Sequence, residues 1–318
     1  MKPWKPAERL PAFSSRVTEM EKGIVGIDVG GTNFRIGTVM QDGRVLDFQK
    51  VPVKAVFTSE DPLADLSACL NAYCAGKKVE AICIGFPATL DAKRRTVLQA
   101  PNVPYMENLP VVSVLTDALG IPVFIERDVT MALLYDCSRY EIPGEGIVCG
   151  FYFGTGIGNA ISIDGVPIVG KNGTAGELGH IPVDGSDVVC GCGNVGCMEP
   201  LAGGRYLQHL CETVCTDTPI DRLFLEHAGE PYLQKFVDRM AMAVATEINI
   251  LNPHRILIGG GVPAMAGFPK KLLLERIRFH ARKPYPADDL SVIFTGDTEE
   301  KCVLGAAMYA RGKLTQVK

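Results

Sequence analysis

A buried apolar run that breaks into a glycine turn occurs twice in this chain, as Ile27-Asp28-Val29-Gly30-Gly31-Thr32 and as Tyr152-Phe153-Gly154-Thr155-Gly156. Each reads as a strand followed by a tight turn. A third run, Ile256-Leu257-Ile258, enters Gly259-Gly260-Gly261. Glycine turns present backbone N–H groups with no side chain in the way, and such turns cradle phosphate oxygens. Asn33 completes the first turn, and the hydroxyls of Thr32 and Thr155 can add hydrogen bonds. Asp28, at the strand tip, is placed to hold Mg²⁺ through water. One glycine turn alone would signal only a turn. Two after buried strands, with a third, point to a phosphate-bearing ligand. The chain has no GxxxxGK[ST], which excludes a P-loop. The recurrence predicts two similar halves facing each other, each offering a turn to one ligand.

The spacing between these turns alternates strands with helices, which predicts an α/β chain with largely parallel strands. Phe34–Met40 and Arg44–Val53 read as strands joined by the hairpin signal Gln41-Asp42-Gly43. Glu80–Gly85, Val123–Glu126, Ile147–Phe153, Ile256–Gly259 and Val292–Thr295 read as further strands. Helices are predicted over Asp61–Ala75, Val111–Leu119, Val129–Tyr140, Tyr232–Leu251 and Cys302–Gly312. In Tyr232–Leu251 the residues Phe236, Met240, Val244, Ile248 and Leu251 recur at helical spacing, a core stripe. A chain of 318 residues is long for one core. We therefore expect two lobes, residues 20–127 with 302–318, and residues 128–301.

Between Glu177 and Glu199 the chain places His180, Cys190, Cys192 and Cys197, interleaved with Gly191, Gly193 and Gly196. Cys3His is a tetrahedral zinc set, because borderline-soft Zn²⁺ takes thiolate and imidazole together. The competing reading is a disulfide with one thiol left over. Eleven cysteines, an odd number, without a secretory signal favour the metal. Four protein ligands close the sphere, so the expected role is structural. The other eight cysteines lie in apolar runs or helices and read as small hydrophobes.

Glu177 and His180 are three apart and share a face of a helical turn. They read either as a zinc ligand with its supporting carboxylate or as a wall that hydrogen-bonds vicinal hydroxyls. Asp128 stands where a strand gives way to a helix. It suits an N-cap and equally a catalytic base.

Net charge is −4, with no basic patch to suggest nucleic acid as main partner. No apolar run reaches the roughly 18 residues of a membrane span. Residues Met1–Lys22 are mixed charged, lack the apolar core of a secretory signal, and read as an extension. The expected location is cytoplasmic.

Together these residues resemble the ROK sugar kinases, of the two-lobed actin-like/hexokinase (ribonuclease H-like) ATPase fold. The resemblance runs from about Ile24 to Tyr309. It rests on Asp28-Val-Gly-Gly-Thr-Asn33, Gly85-Phe-Pro-Ala88, Pro101-Asn102-Val-Pro104, Asp128, Gly154-Thr-Gly156, Glu177-Leu-Gly-His180 with the Cys-x-Cys-x4-Cys loop, and Gly259-Gly-Gly261. It implies ATP- and Mg²⁺-dependent transfer of phosphate to the 6-hydroxyl of a hexose, with ATP in a cleft between the lobes. It implies Asp128 as general base, Glu177, His180 and Glu199 as sugar-binding residues, and Asn102 with Pro87-Ala88 as the opposite wall. The family usually has Asn directly before the catalytic Asp. Here that position is Arg127, larger and donor-only. With Gly85-Phe-Pro-Ala88, Arg95-Thr96 and Pro101-Asn102, this resembles the D-allose kinase branch, and Arg127 becomes a candidate sugar-binding residue. The competing expectations are a kinase of glucose, mannose, fructose or N-acetylmannosamine, a sugar-sensing regulator of the same family, and a non-catalytic zinc protein. An intact Asp128 and the missing DNA-binding domain argue against the regulator. The second lobe is expected to make a subunit interface, in a homodimer.

Overall fold

The computed structural model describes residues 22–101 and 103–317. The extension read over Met1–Lys22, apart from Lys22 itself, and the candidate Asn102 lie outside the described residues.

The chain begins with β1 (Gly23–Val29), β2 (Asn33–Val39), β3 (Val45–Pro52), α1 (Val53–Val56), α2 (Pro62–Cys74) and β4 (Val79–Phe86). The short hairpin β5 (Thr89–Leu90) and β6 (Val97–Gln99) follows, then α3 (Val111–Leu119), β7 (Val123–Arg127) and α4 (Asp128–Arg139). Next come β8 (Ile147–Phe153), β9 (Ile157–Ile163), β10 (Val166–Pro167), α5 (Glu199–Ala202), α6 (Gly204–Thr213), α7 (Leu223–His227) and α8 (Pro231–Leu251). β11 (Arg255–Gly259), α9 (Gly261–Ala264), α10 (Lys270–His280), β12 (Val292–Phe294) and α11 (Lys301–Val317) complete the order.

Two compact units result. One takes the described chain through Pro143, together with Val169–Ala175 and the residues from Thr298 onward. The other takes Gly144–Ile168 and Gly176–Asp297. Each is built on one five-stranded sheet, ordered β3-β2-β1-β4-β7 in the first and β10-β9-β8-β11-β12 in the second. In chain order within each unit, a central strand pairs with a hairpin on one side and with later parallel strands on the other. The repeated half expected from the recurring turns is thus a repeated topology.

The expectation of largely parallel strands needs correction. In each sheet two of the four pairings are antiparallel, β1–β2 with β2–β3, and β8–β9 with β9–β10. The reason lies in the turns themselves. Three residues can close a hairpin, whereas a parallel crossover needs a dozen or more. The three-residue turns Gly30–Thr32 and Gly154–Gly156 therefore dictate the antiparallel pairings β1–β2 and β8–β9.

In the first unit one sheet face packs on α2 and α3 through Ile27, Ile82, Ile84, Leu66, Leu70 and Leu115. The other face carries α4 and α11 through Ile24, Cys83, Met131, Val303 and Ala307. Helix α4, assigned by the sequence reading to the second lobe, belongs to this layer because it packs on α11. In the second unit the stripe Phe236, Met240, Val244 and Ile248 is fully buried, and Leu251 is half-buried. All eleven cysteines are free thiols, and among those outside the Cys-rich loop Cys83, Cys149 and Cys215 are buried.

The α4–α11 contact holds an ion pair. Lys301 Nζ lies 2.7 Å from Asp136 Oδ2, and both side chains are almost wholly removed from solvent. Removing one member of a buried pair strands the other charge, which costs about 3–5 kcal/mol, whereas replacing both by apolar groups is often neutral. Lys301→Met is therefore expected to lower stability by that amount in urea unfolding. The double variant with Asp136→Leu is expected to recover most of it.

Candidate active site

Strands β1, β4 and β7 are parallel neighbours, with Asp28 opposite Gly85 and Gly85 opposite Glu126. Their carboxyl ends therefore reach the same edge of the sheet, where α/β sheets bind ligands. That edge carries the Asp28–Asn33 turn, the Pro87-Ala88 bend and the Arg127–Asp128 junction.

The first turn is closed by Gly30 N–H donating to Asn33 O at 2.9 Å and Val53 N–H to Thr32 O at 2.9 Å. Asp28 is buried, and its Oδ2 receives Arg35 Nη1 at 2.8 Å. Arg35 is the direct cross-strand partner of Asp28 on β2. The sequence reading missed it, although a hairpin that close fixes the facing residue by counting. Ala88 packs against the unit's core.

Asp128 is the first residue of α4, and its Oδ1 accepts the Val129 N–H at 2.8 Å. The N-cap position is Arg127, so Asp128 is the first helical residue and not the cap that its place after the strand suggested. The carboxylate takes up a first-turn amide and is favoured by the positive end of the helix. Arg127 is buried, and its Nη1 donates to Ala175 O at 2.6 Å.

In the second unit β8 and β11 are parallel, Tyr152 standing opposite Gly259. Gly154–Gly156 and Gly259–Gly261 therefore leave the same edge of the second sheet. Gly154 N–H donates to Gly156 O at 3.0 Å. The start of α6 binds the loop's carbonyls, Gly204 N–H to Gly154 O at 2.8 Å and Arg205 N–H to Thr155 O at 3.0 Å. Glu199 Oε2 accepts the Ile157 N–H at 2.9 Å. A Cβ at position 156 would lie 2.2 Å from that same oxygen, so any larger residue there has to displace the Glu199 carboxylate.

The Cys-rich segment folds back by backbone bonds from Cys190 N to Asn194 O and Gly193 N to Cys190 O. Isolated bridges Pro182–Cys197 and Val189–Val195 hold it. The ligand atoms of His180, Cys190, Cys192 and Cys197 all lie within 4.8 Å of one another. Zinc with Zn–S of about 2.3 Å and Zn–N of about 2.05 Å sets tetrahedral edges of about 3.8 Å between sulfurs and about 3.6 Å from sulfur to nitrogen. Cys192 Sγ and Cys197 Sγ are 3.7 Å apart, and Cys190 Sγ lies 3.6 Å from His180 Nδ1. The residues fit the ion. With Nδ1 turned to the thiols, His180 Nε2 lies 3.7 Å from Glu177 Oε2.

The profile of the ROK family matches residues 24–313. The chain belongs to the ROK family. It is 26% identical over 311 residues to a glucokinase of Thermotoga maritima, covering 92% of this chain and 98% of the relative. It is 28% identical over 255 residues to an N-acetyl-D-glucosamine kinase of Yersinia pseudotuberculosis, covering 74% of this chain and 83% of the relative. Its fold matches the crystal structure of a ROK family glucokinase from Streptomyces griseus in complex with glucose and AMPPNP, at a TM-score of 0.72 and 27% identity. That match covers 91% of this chain and 99% of the other. The α/β architecture with one sheet in each unit is therefore that of ROK-family sugar kinases. No helix among the described residues is long and apolar enough to cross a membrane.

Two outcomes follow from this geometry. Purified protein is expected to carry about one zinc per chain by elemental mass spectrometry, and Cys197→Ser to lose it with a fall in melting temperature. Gly156→Ala must displace the Glu199 carboxylate, and urea unfolding is expected to show a loss of about 1–3 kcal/mol.

Proposed function

We propose that this chain transfers the γ-phosphate of ATP to the 6-hydroxyl of a hexose, and that the preferred hexose is D-allose. The observation that carries the kinase reading is Asp128. It is a carboxylate at a β7–α4 junction, at the same sheet edge as the Asp28 glycine turn, in a family whose relatives are named glucokinase and N-acetyl-D-glucosamine kinase. An Asp there can accept the proton of the attacking hydroxyl while that oxygen forms its bond to the γ-phosphorus and ADP leaves.

The turns at Gly30–Asn33, Gly154–Gly156 and Gly259–Gly261 offer N–H groups to the phosphates of ATP. Asp28 would hold Mg²⁺ through water, and that ion, when bound with the nucleotide, supplies neutralisation of phosphate charge. Glu177, His180 and Glu199 would bind sugar hydroxyls, with Pro87-Ala88 and Asn102 as the other wall. Zn²⁺ would hold His180 in place through Nδ1, leaving Nε2 for hydroxyls. Glu199 has one oxygen engaged by Ile157, and its second oxygen is the sugar acceptor in this reading.

The choice of D-allose rests on Arg127. A buried guanidinium beside the base can only donate hydrogen bonds. A second reading, glucose or N-acetyl-D-glucosamine, is favoured by the names of the relatives. Homodimeric assembly and a cytoplasmic location belong to the same proposal.

A coupled assay of ADP release against D-allose, D-glucose, D-mannose, D-fructose, N-acetyl-D-mannosamine and N-acetyl-D-glucosamine tests it. The highest kcat/KM is expected with D-allose. Asp128→Asn is expected to lower kcat by about 10²–10⁴. Preference for glucose or an N-acetylhexosamine overturns the allose choice and keeps the kinase. Silence on every sugar overturns both and favours a sugar-sensing regulator.

A further inference from the structure

Residues Val169–Ala175 belong to the first unit, although the chain on either side of them, Gly144–Ile168 and Gly176–Asp297, belongs to the second. Two buried arginines of the first unit hold this inserted segment by its main chain. Arg94 Nη1 donates to Gly173 O at 3.0 Å, and Arg127 Nη1 donates to Ala175 O at 2.6 Å. The segment fits closely against the β5–β6 hairpin. Gly173 has φ +83°, and a Cβ there would lie 2.1 Å from Leu90 O and 2.8 Å from Arg94 Nη1.

Both arginines converge on one carboxylate. Arg94 Nε lies 2.8 Å from Glu126 Oε1, and the Arg127 N–H donates to the same oxygen at 2.9 Å. Glu126 is 2% exposed, so these groups stand in for the water it has lost. It also lies against the Tyr309 phenol, whose pKa is raised first by burial and further by the Glu126 charge. Arg94 itself takes φ +54°, a left-handed conformation that an arginine adopts at a cost. A strained residue with a buried ion pair and two main-chain carbonyls in its grasp (Asp91 O at 3.3 Å is the second) is a built anchor, not a surface arginine.

We infer that Arg94 and Arg127 are positioning residues for sugar recognition. They clamp the carbonyls of Gly173 and Ala175 and so fix the main chain just before Glu177, while Arg127 is bonded through its own backbone to the strand that delivers Asp128. The inference rests on the proposed function in taking Glu177 as a sugar-binding residue. The clamp acts on the segment that leads to Glu177, not on the glycine turns. It therefore governs the affinity and choice of sugar and leaves nucleotide affinity alone. Its length is chemically specific. The three-carbon stem and planar fork of arginine reach a carbonyl on another segment; the ammonium of lysine can donate there without the fixed fork, and the thioether of methionine cannot donate at all.

The test uses the full chain with Arg127→Met, Arg127→Lys and Arg94→Lys. Initial rates are measured with D-allose, D-glucose and ATP, and hydrogen exchange is followed at the amides of residues 174–178. Arg127→Met is expected to raise the hexose KM about 10- to 100-fold, the factor set by losing a charge-assisted hydrogen bond. It is expected to shrink the allose-to-glucose preference, to leave the ATP KM unchanged, and to speed exchange at 174–178. Arg127→Lys is expected to recover part of the hexose affinity. If Arg127→Met does not fold, the two lysine variants, which keep a positive charge at each position, carry the same readouts at smaller amplitude. Hexose and ATP KM rising together, or exchange at 174–178 unchanged, overturns the clamp. If the wild-type chain phosphorylates no sugar, the proposed function fails and exchange alone decides. Faster exchange then supports the clamp, and unchanged exchange overturns it.

Discussion

Parallel pairing of β1, β4 and β7 is the constraint from which the first unit's candidate site follows. Hydrogen bonding in register sets Asp28 against Gly85 and Phe86 against Arg127. No side chain has to bring the Asp28 turn, the Pro87-Ala88 bend and Asp128 to one sheet edge; backbone geometry alone does so. The second unit uses the same device, β8 beside β11, to bring its own two glycine turns to one edge. Antiparallel β2 and β9 then serve a different purpose. They close the Gly30–Thr32 and Gly154–Gly156 turns, and in the first unit β2 sets Arg35 directly against Asp28. The order of strands is thus a means of presenting loops, and the apolar faces on either side of each sheet are what keep that order.

Much of this was legible because strong local signals agreed with the tertiary outcome. Val111–Leu119 and Ile147–Phe153 occupy the predicted spans, since a left-handed Gly120 ends the helix and a glycine turn ends the strand. Asp61, where the predicted helix opens, caps α2 through the Ala64 N–H. The Cys-rich loop was readable from residue type alone, because soft ligands at short spacing have few other uses. Other parts were not legible. Strand β9 follows its turn with an alternation blurred by Asn159, which is buried and donates to Glu247 and Gly150 O. Helix α10, Lys270–His280, carries so many cations that its apolar stripe is narrow, with only Leu273 and Ile277 buried. The pairing of Arg94 with Glu126 was out of reach because nothing local distinguishes Arg94 from the basic residues Lys93 and Arg95 beside it. Only the fold shows which one turns inward. Glu126, by contrast, gave a faint signal as a charged residue closing an apolar strand.

Glu199 links features that looked separate in the sequence. It lies two residues past Cys197, so its backbone is placed by the fold of the Cys-rich loop, and its side chain grips the first amide after the Gly154–Gly156 turn. The backbone bond from Met198 N to Ile181 O ties the same stretch to the chain just after His180. A four-ligand ion is chemically closed and can take no substrate. Bound at His180, Cys190, Cys192 and Cys197, such an ion would act geometrically, holding the Glu177–His180 pair and the support of the Gly154–Gly156 turn from one centre.

Buried charge in the first unit obeys a similar logic. Desolvating Arg94 and Glu126 costs several kcal/mol per ion, and an apolar replacement of both would often be as stable. Such a pair is therefore poor evidence for stability and better evidence for placement. The geometry bears this out in detail. Glu126 uses one oxygen for the Arg94 guanidinium and the Arg127 amide, so the strand end cannot shift without breaking the ion pair. Arg94 Nη1 donates to Gly173 O, so the inserted segment cannot shift without breaking a bond to a buried cation. An apolar core in this position would resist unfolding equally well but would tolerate sliding, because dispersion contacts are not directional. Directional bonds at the strand end that delivers Asp128 fix the main chain where catalysis would be most sensitive to displacement.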